Sequence, residues 1–174
     1  MSGCFIHYGS DEFNPMYFTP IRNNAGFPKP EGGLWASRGC PVHEDGWTNY
    51  GWKEWCEDTN YQKKKLKKSF RFELREGARI VLLSAPKDLI PLPKTKPWEL
   101  KEVSLPDSKK PTLEQLEEYF RSNPCFLDYE KMLREGVDAI ELQHSLAFRR
   151  CLDTWDCDCI VVMNPDVIIP KPNV

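Results

Sequence analysis

The sequence lacks a large excess of charge of either sign, and it lacks a long apolar run. Its 174 residues include 24 Lys and Arg against 26 Asp and Glu, for a formal net charge of -2. Such a balance predicts no global attraction to nucleic acid, so any site for a polyanion must be local. No apolar run approaches the ~20 residues of a membrane helix, and the N-terminus has no signal-peptide pattern. We therefore expect a cytoplasmic protein that makes no membrane contact.

Several motifs of common nucleotide and metal enzymes are also absent. The chain contains no G-x-G-x-x-G, no G-x-x-x-x-G-K-[ST] and no H-E-x-x-H. The glycine-rich loops hold nucleotide phosphates, and the histidine pair holds a catalytic zinc ion. Their absence disfavours a Rossmann dehydrogenase, a P-loop NTPase and a zincin.

The cysteines do not follow the spacing of a structural zinc site. There are seven of them, an odd set that suits free thiols in a reducing compartment. Cys40-x-x-His43 with Cys56 offers soft ligands, as does Cys151 with residues 157 and 159, but neither group has paired C-x-x-C spacing. Alternation in Cys157-Asp158-Cys159 places both thiols on one face, which favours core packing. We expect no bound metal.

Length and patterning predict one domain, residues 1–174, of the α+β class. The hydrophobic fraction is 40%, which supports a core, while 15 prolines indicate long irregular connections. Proline-rich loops are expected over 11–31 and 86–111. Apolar periodicity and capping signals predict the following elements: helices over 50–58, 112–121 and 128–135, and strands over 4–8, 33–37, 70–74, 79–84, 137–142 and 159–163, the last followed by the apolar residues 167–169.

Two local features point to a ligand site. His7 lies at the end of a predicted strand beside Gly9 and Ser10, where the backbone can turn or approach a ligand closely. A cluster of tryptophans, Trp35, Trp52 and Trp55, follows; taken alone, such residues more often belong to a core. The glycine pair before Trp35 strengthens the interpretation as a site.

The order of these segments resembles the ADP-ribosyltransferase fold. The closest resemblance is to the branch with a His-Tyr-Glu triad, shared by diphtheria toxin and the poly(ADP-ribose) polymerases and by small phage and bacterial members. That branch has His-Gly-Ser or His-Gly-Thr on a first strand, Gly-Ile-Tyr-Phe-Ala before a helix ending in Tyr-Cys, and a late Glu-Tyr-Ile-Val-Tyr. Here residues 7–10 read His-Tyr-Gly-Ser, residues 33–37 read Gly-Leu-Trp-Ala-Ser before the segment 50–56 of a predicted helix, and residues 158–162 read Asp-Cys-Ile-Val-Val.

This resemblance implies a fold, an activity and a site. The fold is a split, curved β-sandwich with short flanking helices. The activity is that of an NAD-dependent ADP-ribosyltransferase, for which NAD is the substrate and nicotinamide a product. The implied catalytic residues are His7 with Asp158 or Glu141 as the acid. The implied NAD-binding residues are His7, Tyr8, Gly9, Ser10, Gly33, Trp35, Ser37, Trp52 and Trp55.

The sequence departs from the family pattern at the triad. His7 is one residue further from the glycine than in the family, so either His7 or Tyr8 takes the ribose-binding role. Trp35 replaces the tyrosine. Asp158 stands where the family has glutamate, which sets the carboxylate back by roughly 1 Å, and Glu141 is the other candidate acid.

The chemistry of the reaction explains these residue types. Nicotinamide in NAD is a cationic aromatic ring, which tryptophan faces attract by stacking and cation–π contact worth ~0.5–2 kcal/mol. Cleavage of the glycosidic bond develops positive charge on the ribose, and a nearby carboxylate stabilises that charge. Asp158 or Glu141 is expected to serve there.

Two other functions fit the sequence. One is an inert domain that binds NAD or ADP-ribose as a sensor or inhibitor, which the replacement of glutamate by Asp158 motivates. The other is a nucleic-acid-binding module that uses the lysine-rich residues 63–68 with the nearby aromatic residues Phe70 and Phe72. The ADP-ribose acceptor, a protein or a nucleic acid, and the oligomeric state are left open by the sequence.

Overall fold

The computed structural model describes residues 3–39, 48–96 and 111–172, which form a mixed α+β fold. In this part of the chain seven strands outnumber three short α-helices. The strands are β1 (Phe5–Tyr8), β2 (Leu34–Arg38), β3 (Ser69–Leu74), β4 (Ile80–Leu83), β5 (Ala139–Leu142), β6 (Cys159–Val162) and β7 (Ile168–Lys171), and the helices are α1 (Trp52–Thr59), α2 (Leu113–Ser122) and α3 (Tyr129–Arg134).

The strands make one sheet, in the order β4-β5-β6-β2-β1-β3-β7. Only β4 and β5 pair in parallel; the other neighbours are antiparallel. The register places Ile6 of β1 opposite Ser37 of β2, and Trp35 of β2 opposite Val161 of β6. Because the two strands are antiparallel, the end of β1 lies beside the start of β2, at the centre of the sheet.

The central strands are buried on both faces. All four residues of β5 and all four of β6 are buried. Val161 packs into an apolar cluster with Ile140 and with residues of α2 and α3, whereas Ile160 packs into a second cluster with Phe5 and Phe72. Burial on both faces explains why β6 reads as a continuous apolar run rather than an alternating one.

Capping residues set the helix ends as the sequence predicts. The Thr112 hydroxyl accepts a hydrogen bond from the Gln115 amide at 3.2 Å, and the Gln115 side chain accepts one from the Thr112 amide at 2.9 Å. This reciprocal pair is the capping box expected at the start of α2. Gly136, with φ of +85°, follows the end of α3, as expected for a residue just past a helix C-terminus.

The elements predicted from the sequence are all found, with small shifts at their ends. The strand expected over 137–142 begins only at Ala139, and the helix expected over 50–58 begins at Trp52. Short 3-10 helices interrupt the predicted loops, at Pro15–Tyr17 and Pro86–Leu89. Part of the predicted loop 86–111 lies outside the described residues.

Among the helices of the described ranges, none has both the length and the apolar character needed to cross a bilayer.

Candidate functional site

The end of β1, the middle of β2 and the start of α1 surround a pocket of about 160 Å³, the first pocket. Five residues predicted to bind NAD line it together, although they come from three separate elements. They are His7 and Tyr8 of β1, Trp35 and Ser37 of β2, and Trp52 of α1. Its other lining residues are Ile6, Lys29, Ala36, Gln62, Lys65, Asp156, Cys157 and Cys159.

The imidazole of His7 is held in one orientation. Its Nδ1 lies 2.7 Å from the Trp35 carbonyl oxygen, and its ring packs on Phe70 with the centroids 5.1 Å apart. Because a carbonyl can only accept, Nδ1 carries the proton and Nε2 of the neutral ring is left as an acceptor. Burial, offset in part by the bond to Trp35 and reinforced by the charge of Lys65, lowers the pKa of His7 below 6.5. A neutral ring with a free acceptor is thus expected at pH 7.

Tyr8 and two lysines add polar groups to the first pocket. Burial and the nearby charges of Glu54 and Glu57 raise the pKa of Tyr8, so its hydroxyl stays protonated. Lys29 places its Nζ 4.5 Å from the centre of the Trp35 ring, a cation–π contact. Lys65 lines the same pocket. The pocket thus combines hydroxyl and imidazole groups with two cationic side chains.

Ser37 joins β2 to α1 through its hydroxyl. The Ser37 Oγ accepts a hydrogen bond from the Trp52 amide at 2.8 Å and donates to the Asp158 carbonyl at 3.2 Å. The Trp52 amide has no acceptor within α1, as is usual in the first turn of a helix, so Ser37 caps this helix from a neighbouring strand. Gly51 permits the approach, since a Cβ there would lie 2.9 Å from the Ser37 Cβ. This contact positions Trp52 in the pocket.

Asp158, which the resemblance implies as one of two candidate acids, does not face the first pocket. Asp158 is buried, with 2% of its surface exposed. Its Oδ2 accepts from the Tyr50 amide at 2.9 Å, and its Oδ1 accepts from the Ser145 amide at 2.7 Å. Both oxygens therefore hold two backbone segments together, and Asp158 does not line the first pocket. The alternation of side chains along a strand does not show that amides from two distant segments donate hydrogen bonds to this carboxylate.

Glu141 also lies outside the first pocket. Its carboxylate forms a bidentate ion pair with Arg38, through Nε to Oε1 and through Nη2 to Oε2 at 2.8 Å, and it accepts from Gln143. On β5 its neighbours Ile140 and Leu142 belong to the apolar cluster that also contains Val161. The structure thus brings neither predicted acid into the pocket.

Four other predicted NAD-binding residues lie beside the first pocket or away from it. Gly9 has φ of +116°, and a Cβ there would lie 3.9 Å from the His7 Nε2. Ser10 donates to the Glu12 carbonyl. Gly33 allows close packing, since a Cβ there would lie 2.6 Å from Val161. Trp55 stacks on Trp52, with ring centroids 5.0 Å apart, and lines a different pocket.

Sequence reasoning missed Asp156, the carboxylate that does line the first pocket. Asp156 is exposed and lies two residues before the buried Asp158. The Trp-Asp-Cys-Asp order offered two acids within three residues, and only the tertiary fold distinguishes the exposed acid from the buried one. Lys29, between Pro28 and Pro30, and Gln62 gave no sequence signal of their own.

The described cysteines are free and mostly buried. Cys157 and Cys159 face the same side and are 3% and 9% exposed, which confirms their packing in the core. A hydrogen bond between the two side chains, together with burial, raises the pKa of Cys157. Across the described ranges no group of three His, Cys, Asp or Glu residues is arranged to hold a metal ion. Cys40 and His43 of the alternative zinc set lie outside those ranges.

Comparisons of this chain with protein-family models, with curated proteins and with solved structures found no match.

Proposed function

We propose that this protein is an NAD-dependent ADP-ribosyltransferase that binds the nicotinamide end of NAD in the first pocket. The observation that carries the proposal is the meeting of His7, Tyr8, Trp35, Ser37 and Trp52 in that one pocket. The family resemblance assigns NAD contacts to all five, and they are spread over more than forty residues of chain. A volume of about 160 Å³ is smaller than the ~300–1,000 Å³ of sites that enclose drug-sized ligands, so it suits one ring with its sugar.

The sheet supports the split sandwich that belongs to this proposal. Strands β6 and β7 are four positions apart, which in a flat sheet separates them by about 19 Å. Only residues 163–167 connect them, and Pro165–Val167 form a compact 3-10 helix. Ile160 of β6 and Ile168 of β7 also belong to one apolar cluster. Both facts favour a sheet that curves over itself, with its halves facing each other.

The face of Trp35 suits a cationic aromatic ring. Its π face already attracts the Lys29 ammonium, at 4.5 Å from the ring centre. The nicotinamide ring of NAD carries the same sign of charge and adds stacking area, so it can replace Lys29 on this face. Trp52, half-buried on another wall of the pocket, adds a second aromatic surface.

His7 and the two lysines suit the rest of the nucleotide. The Nε2 of neutral His7 accepts a hydrogen bond from a ribose hydroxyl, and Tyr8 supplies a further polar contact. Lys29, displaced from Trp35, and Lys65 provide positive charge for the pyrophosphate.

Asp156 supplies the carboxylate in this proposal, in place of Asp158 and Glu141. The C1′–N bond of NAD breaks, and nicotinamide leaves with the bonding electron pair. The Asp156 carboxylate stabilises the positive charge that develops on the ribose. A nucleophile of the acceptor forms the new bond to C1′, and its proton passes to Asp156.

Nicotinamide release on incubation with NAD, followed by chromatography, tests this function. Asp156→Asn is expected to lower turnover by ~100-fold or more while NAD affinity stays nearly unchanged, because a transition-state interaction is removed. Asp166→Asn is the matched control, since Asp166 is exposed and outside the pocket. Absence of NAD binding in a fluorescence titration would refute the proposal.

An inert NAD-binding domain is the second candidate function. It is favoured by one observation, that both predicted acids have their carboxylate oxygens engaged, Asp158 by backbone amides and Glu141 by Arg38. In that case NAD or ADP-ribose binds and tryptophan fluorescence is quenched, but no nicotinamide is released by the wild-type protein.

A further inference from the structure

A second pocket adjoins the first. It has a volume of about 350 Å³ and lies between α1 and the residues that precede β6. Its lining includes aromatic, aliphatic and charged side chains, among them Trp55, Leu146, Arg149, Asp153, Thr154 and Asp156.

The two pockets share a wall. Trp52 lines the first pocket and Trp55 the second, and the two rings stack with their centroids 5.0 Å apart and their planes 24° apart. Asp156 lines both pockets. A group bound in the second pocket would therefore lie on the other side of this carboxylate from a group bound in the first.

The second pocket contains a strained residue. Thr154 has φ of +72°, which is a rare and strained conformation for a β-branched side chain. Its hydroxyl is buried and has no hydrogen-bond partner among the described residues. Strain and an unpaired buried hydroxyl are both destabilising, so the loop that shapes this pocket is kept at a cost in stability.

The other lining groups fit a planar ring with polar edges. Leu146 is 65% exposed and Trp55 offers an indole, so the pocket has apolar surfaces for a flat ring. Arg149 is exposed and forms no ion pair within the described ranges, while Asp153 provides an acceptor. Nucleobases combine a flat face with donors and acceptors along their edges.

A lysine segment continues from this aromatic group. Tyr61 is 46% exposed and packs edge-on against both Trp52 and Trp55. Directly after it, residues 63–68 include five lysines, all exposed, three of which close the 3-10 helix Lys63–Lys67. Exposed aromatics next to clustered lysines form the usual surface for a single-stranded nucleic acid, whose bases stack and whose phosphates meet the charges.

Two acidic side chains of α1 form hydrogen bonds elsewhere, and neither has an ion pair with these lysines among the described residues. Glu54 accepts from the Gly51 amide, and Asp58 accepts from the Tyr50 hydroxyl. Of the five lysines in residues 63–68, only Lys68 has an ion pair with a described residue, Asp11, at 3.2 Å. Lys63, Lys64 and Lys67 are free of ion pairs to the described residues, so a basic surface stands out on a chain of net charge -2.

We propose that the second pocket receives a base of a single-stranded nucleic acid whose phosphates lie along residues 63–68. Resting on the proposed function, this base is the acceptor of ADP-ribose. A nucleophilic atom of the base forms a bond to C1′ of the ribose as the C1′–N bond to nicotinamide breaks. Nicotinamide leaves with the electron pair, and the proton of the nucleophile passes to Asp156.

Fluorescence anisotropy with a labelled single-stranded oligonucleotide, without NAD, tests the basic surface. The Lys63→Gln, Lys64→Gln, Lys67→Gln triple variant is expected to bind at least ~10-fold more weakly, with a salt slope shallower by about 2, because each phosphate contact on a single strand contributes about 0.7. The control is a second triple variant, Lys87→Gln, Lys131→Gln, Arg134→Gln, which removes the same charge from other exposed positions. It should bind the oligonucleotide like the wild type. Equal weakening by both triple variants would overturn the assignment.

Thr154→Gly tests the second pocket separately. Glycine relieves the positive φ, so the variant is expected to melt at a higher temperature than the wild type, yet to bind the oligonucleotide about 3–10-fold more weakly because the relaxed loop no longer holds the shape of the pocket wall. Arg149→Gln should weaken binding in the same way. A Thr154→Gly variant that is folded and binds with wild-type affinity excludes this pocket as the base site.

NAD measurements on the same samples separate this proposal from the proposed function. If the protein binds NAD and releases nicotinamide but does not bind oligonucleotides, the nucleic-acid site is overturned and the proposed function is not. Mass spectrometry of the oligonucleotide after incubation with NAD should show the added mass of ADP-ribose. The proposal would also be overturned if labelled NAD modified lysate proteins but not the oligonucleotide. Binding to anionic lipid vesicles in place of the oligonucleotide would overturn it as well.

Discussion

At the scale of single residues, His7 has the most constrained chemistry in the first pocket. The Trp35 carbonyl fixes its tautomer, and burial with the charge of Lys65 lowers its pKa. The neutral ring presents Nε2 as an acceptor, whereas the protonated ring would lose that acceptor and repel a cationic nicotinamide. Ligand binding should therefore depend on pH through this one side chain.

NAD affinity is expected to be constant near pH 7 and to fall, at most ~10-fold per pH unit, once the pH drops below the lowered pKa of His7. The free energy of unfolding should also fall as the pH is lowered. A histidine with a depressed pKa binds its proton more readily in the unfolded state than in the folded state, so acid favours unfolding. Fluorescence titrations from about pH 5 to about pH 8 measure the effect. His7→Gln should remove this pH dependence, and a profile identical to wild type would refute the role of His7.

Asp158 is expected to act on stability rather than on the reaction. Asp158→Asn replaces one acceptor oxygen with an amino group that faces a backbone amide, so we expect unfolding to become easier by about 3 kcal/mol. Urea denaturation measures the change. Asp156→Asn, at an exposed position, should leave stability within about 0.5 kcal/mol of wild type. An Asp158→Asn variant of normal stability but no turnover would instead favour the acid role predicted from the sequence.

At the scale of elements, the placement of α1 decides the geometry of the first pocket. The helix begins where Gly51 lies against Ser37, and its first amide is satisfied by the Ser37 hydroxyl. The same contact fixes Trp52, and through the stacked rings Trp55, between the two pockets. A change at this junction should affect folding and ligand binding together.

Gly51→Ala should show this coupling. A Cβ at Gly51 would lie 2.9 Å from the Ser37 Cβ, so the helix must shift, at a cost of about 1–3 kcal/mol. We also expect weaker NAD binding, because Trp52 moves with the helix. Thermal unfolding and NAD titration measure the two effects. At Gly26 a Cβ would meet only Asn24, at 3.5 Å, so Gly26→Ala is the control that should change neither quantity.

At the scale of the whole molecule, the buried thiols contribute to the core. Burial raises the pKa of Cys125 to about 12 and that of Cys151 to about 11, so both remain protonated. Zinc binds thiolates, and a protonated buried thiol behaves as a small apolar side chain. Both cysteines belong to the cluster that joins the sheet to α2 and α3.

Metal removal is accordingly expected to leave the protein folded. EDTA should not change the melting temperature or nicotinamide release, and metal analysis of the purified protein should find no stoichiometric zinc. Zinc in a one-to-one ratio, lost together with structure on EDTA treatment, would contradict this prediction and point to the Cys40-x-x-His43 set.

The sequence by itself determined the elements and the burial of their apolar faces, because these depend on local periodicity. The run Cys-Ile-Val-Val of β6 and the capping box of α2 are examples. Of the nine residues that the sequence and its family resemblance assign to NAD binding, five line one pocket. His7 and the tryptophans carry local signals, whereas Tyr8 and Ser37 are assigned by the resemblance.

Only the tertiary structure decided which acid faces the first pocket. Asp156 and Asp158 are two residues apart, yet backbone amides from Tyr50 and Ser145 surround one and leave the other exposed. The Arg38 partner of Glu141 likewise comes from a strand about one hundred residues away in sequence. Burial and pairing of a carboxylate depend on such long-range neighbours, which no local pattern encodes.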